Sequence, residues 1–133
     1  MLKRNKRFLL MLLTLALPFG CVGCLDGGSV SYDQISGAEA KALMDSESGY
    51  IILDARTQEE YDEGHIPGAI LIPEYEIADR AETELPDKDQ LILVYCRSGR
   101  RSKIAAEELV KLGYANVKEF GGIIDWEYET VKD

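Results

Sequence analysis

The stretch CRSGRRS, residues 96 to 102, combines a thiol with a dense cluster of positive charge. Three arginines, Arg97, Arg100 and Arg101, follow Cys96 within five positions. The thiolate form of cysteine is the nucleophile, and nearby cations and backbone N–H groups stabilise it. The simpler alternative is a buried, inert thiol, because free cysteine packs like a small apolar residue. The neighbouring elements decide between these two interpretations.

The residues around this stretch predict a strand, a loop, a helix and a second strand. An apolar run at 91–95 precedes Cys96, and an apolar stripe over 102–112 ends at Gly113, a typical helix terminator. A further strand is predicted at 116–120. This order is a βαβ unit, which gives parallel strands with ligands bound at their carboxyl ends. Cys96 falls at such an end.

Upstream segments extend the same pattern. Apolar runs at 50–54 and 69–72 predict two more strands. Two of the four predicted strands are nearly all apolar, as expected for strands that are buried on both faces of a parallel sheet. Two helix starts carry capping-box residues, Ser36 with Glu39 and Thr57 with Glu60. The sequence therefore predicts an α/β domain with an open, mainly parallel sheet flanked by helices on both faces. The loop at Cys96 would join a central strand to the following helix.

The loop at the start of a helix can hold an anion, since its free N–H groups and the helix dipole both favour negative charge. Either a phosphoryl group or a persulfide sulfur would fit this chemistry. Cysteine phosphatases place their arginine six positions after the nucleophile, whereas here Arg101 comes five positions after Cys96 and position 102 is Ser. The tighter loop favours a single sulfur atom and disfavours phosphatase or arsenate reductase activity.

Three motifs, in this order, give the chain a resemblance to a known family. CRSGRRS resembles the active-site loop of the rhodanese homology family of sulfurtransferases. The segment ILDARTQEEYDEGHIPGAI, residues 52–70, is similar to the upstream motif of that family. GYANVKEFGGIIDW, residues 113–126, resembles its C-terminal strand, Gly-Gly turn and Trp-bearing helix. The resemblance implies a single-domain, rhodanese-like fold.

The resemblance also implies a role for each loop residue. Cys96 would take sulfane sulfur from a donor such as thiosulfate and pass it, as a persulfide, to a thiophilic acceptor. Asp54 and Arg56 would support the loop, and no cofactor is implied. The residues expected to bind the substrate are Arg97, Ser98, Gly99, Arg100, Arg101 and Ser102, with Arg97 and Arg101 favouring anionic donors. The alternative is a persulfide carrier or redox module that serves one protein partner with little free turnover.

Other polar and aromatic residues have simpler structural interpretations. The single histidine, His65, lies in a GHIPGA turn and is expected to form local hydrogen bonds. Trp126 and Tyr128 are expected to pack in the core or at its rim, or to line the pocket. The carboxylates at Glu59, Glu60, Asp62 and Glu63 are expected to form a solvated helix face. No cluster of metal-ligating residues stands out in the sequence.

The first 24 residues are expected to be a signal peptide, because a basic start precedes the apolar run FLLMLLTLAL. Its end resembles the lipobox of bacterial lipoproteins, with Cys21 and Cys24 as the two lipidation candidates. Plain cleavage and an uncleaved anchor are the alternatives. A Gly-rich tether over 25–31 and a domain over 32–133 would follow. The domain is therefore expected outside the cytoplasm, on a bacterial cell membrane.

The charge of the chain disfavours nucleic acid as a partner. The formal net charge is −9, and the domain without the four basic leader residues has 11 basic and 24 acidic side chains, or −13. Nucleic-acid binding depends on basic surfaces. The expected partners are small sulfur-containing anions or thiols, a protein sulfur acceptor, and the membrane through the lipid anchor.

Overall fold

The computed structural model describes residues 31–132. The expected signal peptide, both lipidation candidates and nearly all of the expected tether lie outside this part of the chain. Within it, no helix has the length and apolar character needed to cross a membrane.

The strands are β1 (Asp33–Gln34), β2 (Ile51–Asp54), β3 (Ile70–Leu71), β4 (Ile92–Cys96) and β5 (Val117–Gly122). The helices are α1 (Gly37–Ser46), α2 (Gln58–Glu63), α3 (Ile77–Glu84) and α4 (Arg100–Lys111), with 3₁₀ turns at Glu74–Glu76 and Ile123–Asp125.

The strands form one parallel sheet in the order β1-β5-β4-β2-β3. The central strand, β4, pairs with β2 on one side and β5 on the other, and all five of its residues are buried. Two apolar clusters cover the sheet. One contains Leu109 of α4 and Ala81 of α3, and the other contains Ala40 of α1 and Ile66. The predicted α/β class, with a parallel sheet flanked by helices, is confirmed.

Local signals placed two helices correctly. Ser36 accepts a hydrogen bond from the Glu39 N–H at 3.1 Å, and the Glu39 carboxylate accepts one from the Ser36 N–H at 2.7 Å, which completes the predicted capping box. Thr57 caps α2 through the Glu60 N–H, but the Glu60 carboxylate accepts from the Thr57 hydroxyl, so the second predicted capping box is only half formed. These caps satisfy N–H groups that have no partner inside the helix.

Four details differ from the expectations. Helix α4 begins at Arg100, two residues before the expected start, because Gly99 takes the N-cap position with φ +106° and no side-chain cap is needed. The segment after the Gly-Gly pair is a 3₁₀ turn, Ile123–Asp125, that ends at Trp126, so the described structure has no Trp-bearing α-helix there. Helix α3 and the short edge strand β1 were not predicted.

Candidate active site

Cys96 is the last residue of the central strand, and it is 1 % exposed. Its Sγ accepts a hydrogen bond from the Gly99 N–H at 3.0 Å and lies 3.3 Å from Ser102 Oγ. A backbone N–H aimed at sulfur stabilises negative charge on that atom. Cys96 is therefore buried in polar rather than purely apolar surroundings, unlike a cysteine that only fills space.

The loop between β4 and α4 is short and its path is fixed by glycine. Gly99 takes a positive φ of +106°, a backbone conformation that glycine adopts without steric cost. The next residues, Arg100, Arg101 and Ser102, form the first turn of α4. The N–H groups of a first turn have no carbonyl partner within the helix and carry its partial positive charge. Such N–H groups can bind an anion at the start of the helix.

The three arginines of the loop have different environments. Arg97 and Arg100 are exposed, and neither forms an ion pair among the described residues. Arg101 instead contacts Glu60 of α2 through two hydrogen bonds of 2.6 and 2.8 Å. This contact lowers the pKa of Glu60 to about 2 and raises the pKa of Arg101. The expectation that Glu60 belongs to a solvated face is wrong, and the charge of Arg101 is largely compensated.

Asp54 and Arg56 form a buried ion pair at the end of β2, with 2.6 Å between Oδ2 and Nη2. Asp54 also accepts a hydrogen bond from the Tyr95 hydroxyl at 2.6 Å, and Arg56 donates one to the Gly64 carbonyl at 2.8 Å. Burial lowers the pKa of Arg56, but the hydrogen bond and charge of Asp54 outweigh it and leave that pKa raised. Since Tyr95 precedes Cys96, this network holds the strand end that carries the thiol.

One buried carboxylate was missed by the sequence interpretation. Glu119 of β5 is 3 % exposed, accepts a hydrogen bond from Ser102 Oγ at 2.6 Å, and accepts another from the Gly121 N–H at 2.8 Å. A signal for it was present in the sequence: Glu119 lies two residues after Val117, so both point to the same face of the strand. Val117 is in the core on that face, which marks Glu119 as a buried polar residue.

A groove of about 500 Å³ runs beside the loop. Arg97, Arg56, Trp126 and Tyr128 are among the residues that line it, whereas Cys96 is not. The Trp126 ring also packs against Phe120, so it lies between the core and the groove, as expected.

The single histidine forms local contacts. His65 Nδ1 lies 2.9 Å from the Tyr61 carbonyl and its ring stacks on Tyr61, which agrees with the expected local role.

Within residues 31–132, no group of three or more His, Cys, Asp or Glu side chains could hold a metal ion. The protein groups around the loop are a thiol, a backbone N–H donor, a hydroxyl, a buried carboxylate and exposed guanidinium groups. These groups suit the handling of a small anion bound covalently to sulfur.

The fold and the site together define a class: a parallel α/β domain with a cysteine at the carboxyl end of the central strand and a helix start beside its sulfur. A family model described as "Rhodanese-like domain" matches residues 36–129. The chain belongs to the rhodanese-like domain family.

Named relatives agree with this assignment. The chain is 41 % identical over 80 residues to thiosulfate sulfurtransferase PspE of Escherichia coli, covering 60 % of this chain and 77 % of PspE. It is 40 % identical over 101 residues to the putative sulfur carrier protein YrkF of Bacillus subtilis, covering 75 % of this chain and 54 % of YrkF. A solved structure described as a rhodanese with anions from E. coli has a TM-score of 0.60 and 39 % identity, covering 63 % of this chain and 99 % of that one.

Proposed function

We propose that this protein is a sulfurtransferase that moves sulfane sulfur from a donor such as thiosulfate to a thiophilic acceptor through a persulfide on Cys96. The observation that carries the proposal is the position of Cys96 Sγ, 3.0 Å from the Gly99 N–H at the start of α4. Membership of the rhodanese-like family and the similarity to a named thiosulfate sulfurtransferase support it.

The reaction would proceed in two displacements. The Cys96 thiolate attacks the outer sulfur of thiosulfate, the S–S bond of the donor breaks, and its electron pair leaves with sulfite. The persulfide is negatively charged, and the N–H groups of the loop and of the first turn of α4 would bind its terminal sulfur. The acceptor, such as cyanide or a thiolate, then attacks that sulfur, and Cys96 leaves as a thiolate.

The exposed arginines would act on the donor rather than on the thiol. Arg97 and Arg100 flank the loop without an ion pair among the described residues, so their charge is available to an approaching anion. Such charges raise the local concentration of an anionic substrate, and salt screens the effect. In this proposal Arg101 contributes less than expected, because Glu60 compensates it.

A Cys96→Ser variant tests the enzymatic proposal in a thiosulfate and cyanide turnover assay. Serine keeps the shape of the side chain and removes the sulfur that must form the persulfide. We expect turnover to fall to the uncatalysed rate while the melting temperature stays the same. Initial rates at several concentrations of both substrates should give parallel double-reciprocal lines, as a double displacement requires. Turnover that survives in Cys96→Ser would exclude the mechanism.

The second candidate is a persulfide carrier that serves one protein acceptor. Two observations favour it: the similarity to a named sulfur carrier protein, and an exposed apolar side chain beside the loop. Ile124 is 62 % exposed, and its N–H donates to the Arg97 carbonyl at 3.3 Å. A carrier would load one sulfur per Cys96 but turn over slowly with cyanide or small thiols. Fast turnover with small acceptors would favour the enzyme.

The location of the domain is also part of the proposal. The leader, with Cys21 and Cys24 after its apolar run, supports export and lipidation of the chain in a bacterial membrane. Expression with a radiolabelled fatty acid tests this directly. One of the variants Cys21→Ala and Cys24→Ala should lose the label, and Cys96→Ala should keep it. A chain that takes up no label would overturn the lipid anchor.

A further inference from the structure

Glu119 is a buried carboxylate with no role in the two proposed displacements. It is 3 % exposed, and no cation forms an ion pair with it among the described residues. An uncompensated buried carboxylate is costly, and such groups occur more often at functional sites than elsewhere. Its hydrogen-bond partners are Ser102 Oγ at 2.6 Å and the Gly121 N–H at 2.8 Å.

Ser102 connects Glu119 to the thiol. Ser102 is fully buried in the first turn of α4, with its Oγ 3.3 Å from Cys96 Sγ and 2.6 Å from Glu119 Oε1. A serine hydroxyl has one hydrogen to donate and two lone pairs that accept. The Gly99 and Gly121 carbonyls are also near Oγ, at 3.0 and 3.4 Å, but the charged carboxylate is the nearest and the strongest acceptor. The hydroxyl therefore donates to Glu119, and its lone pairs face the S–H of Cys96.

We propose that Glu119 accepts the thiol proton of Cys96 through Ser102, and so generates the nucleophile without releasing a proton to water. The S–H proton passes to Ser102 Oγ while the hydroxyl proton passes to Glu119 Oε1. The products are a Cys96 thiolate, an intact Ser102 hydroxyl and a neutral Glu119, so the total charge of −1 is unchanged. The proton returns by the same route when Cys96 leaves as a thiolate in the second displacement.

The geometry after the transfer favours the thiolate. Ser102 now donates its hydroxyl proton to Cys96 Sγ, so the sulfur has two hydrogen-bond donors, Ser102 and the Gly99 N–H. Hydrogen bonds to the charged form stabilise that form. Glu119 acts through Ser102 and does not touch the substrate, so it is a positioning residue. Its use in catalysis rests on the proposed sulfur transfer.

Arg97 and Arg100 of the loop are exposed and form no ion pair among the described residues, whereas the less exposed charged groups near this relay are paired. Arg101 of α4 is close enough for its charge to interact with Cys96, and it pairs with Glu60. Asp54 of β2 is buried and pairs with Arg56. On the β1 side, the residue that pairs with Glu119 in the sheet is the uncharged Gln34. Glu119 is thus the carboxylate that is hydrogen-bonded to the thiol's own partner.

The test measures the rate of iodoacetamide alkylation at Cys96 in the full-length protein from about pH 5 to pH 10, read on the Cys96 peptide by mass spectrometry. Two groups that share a proton titrate in two steps as a pair. The wild type should therefore show a plateau of reactivity near neutral pH and a second rise at alkaline pH. Glu119→Gln should show a single step, because Gln keeps an acceptor for Ser102 and the Gly121 N–H but cannot take a proton.

Ser102→Ala is the second variant, and it distinguishes a proton relay through Ser102 from simple charge repulsion between Glu119 and Cys96. Without the hydroxyl, the plateau rate should fall about tenfold or more, the size expected when coupled groups no longer share their proton. Identical profiles in the wild type and Glu119→Gln would overturn the proposal and leave Glu119 as a support for the Gly121 turn. An unchanged plateau in Ser102→Ala would also overturn it. Alkylation needs no sulfur donor, so this result is independent of whether sulfur transfer occurs.

Discussion

Gly122 lies so close to Arg97 that no side chain fits between them. A Cβ at Gly122 would be 2.0 Å from the Arg97 carbonyl oxygen and 2.6 Å from the Cα of Ser98. Both contacts are to backbone atoms, so a larger residue could be accommodated only if the loop moved. The end of β5 therefore determines the path of the loop that starts at Cys96.

Gly122→Ala is expected to displace the loop and to slow persulfide formation about tenfold or more, because small errors in the position of reacting groups have effects of this size. Overpacking should also lower the free energy of unfolding by about 1–3 kcal/mol. Single-turnover sulfur loading and urea unfolding measure the two effects. Gly37→Ala is the control, since its Cβ would lie 3.6 Å from the Trp126 ring, an ordinary contact. Equal loading rates in both variants would contradict this role of Gly122.

Glu60→Gln is expected to release the charge of Arg101 and to lower KM for thiosulfate. The change should be about threefold, because the pair is only part-buried and ion pairs near the surface are worth about 0.2–1 kcal/mol. Glu59→Gln on the same helix is the matched control, because it removes the same charge from an exposed position outside the pair. Steady-state kinetics at low salt compares the two. If both variants lower KM equally, the effect comes from total charge and not from Arg101.

The same pair predicts a pH dependence of stability. Arg101 lowers the pKa of Glu60 from its ordinary value of 4.5 to about 2. A carboxylate with a lower pKa in the folded state stabilises the fold at higher pH, and this contribution is lost as pH falls through the folded value. The difference in unfolding free energy between the wild type and Glu60→Gln should be constant above about pH 5 and shrink towards pH 2. A difference that stays constant down to pH 2 would contradict the ion pair.

Asp54→Asn is expected to destabilise the domain by about 3–5 kcal/mol, because it leaves the buried Arg56 without its counter-ion. Urea unfolding measures this loss. Asp45→Asn removes one partner of an exposed pair with Lys41 and should cost less than about 1 kcal/mol. Similar losses in the two variants would show that the buried pair contributes no more to the free energy of unfolding than the exposed pair does.

The elements around the site were predictable where a local signal existed. The capping residues at Ser36 and Thr57 fixed the starts of α1 and α2, and the buried apolar run before Cys96 fixed the central strand. The start of α4 was misplaced because Gly99 provides a backbone conformation instead of a side-chain cap. Helix α3 lacks an obvious apolar stripe, since only Ile77 and Ala81 are buried in it.

The network around the thiol was harder to predict because it depends on contacts between distant parts of the chain. Glu60 and Arg101 are 41 positions apart, and Ser102 and Glu119 are 17 apart. Glu60 looks like a solvated residue in its own segment. Glu119 shares a strand face with the buried Val117, but its own segment does not identify Ser102 as its partner. Only the packing of α2 and β5 beside the start of α4 brings them to the loop.

The central claim is that Cys96 carries sulfur, and intact-mass spectrometry of the full-length protein tests it most directly. The mass is measured before thiosulfate, after thiosulfate, and again after cyanide, with Cys96→Ala treated in parallel. We expect the wild type to gain the mass of one sulfur atom with thiosulfate and to lose it with cyanide, while Cys96→Ala gains none. A wild-type mass unchanged by thiosulfate, or an equal gain in Cys96→Ala, would contradict the claim.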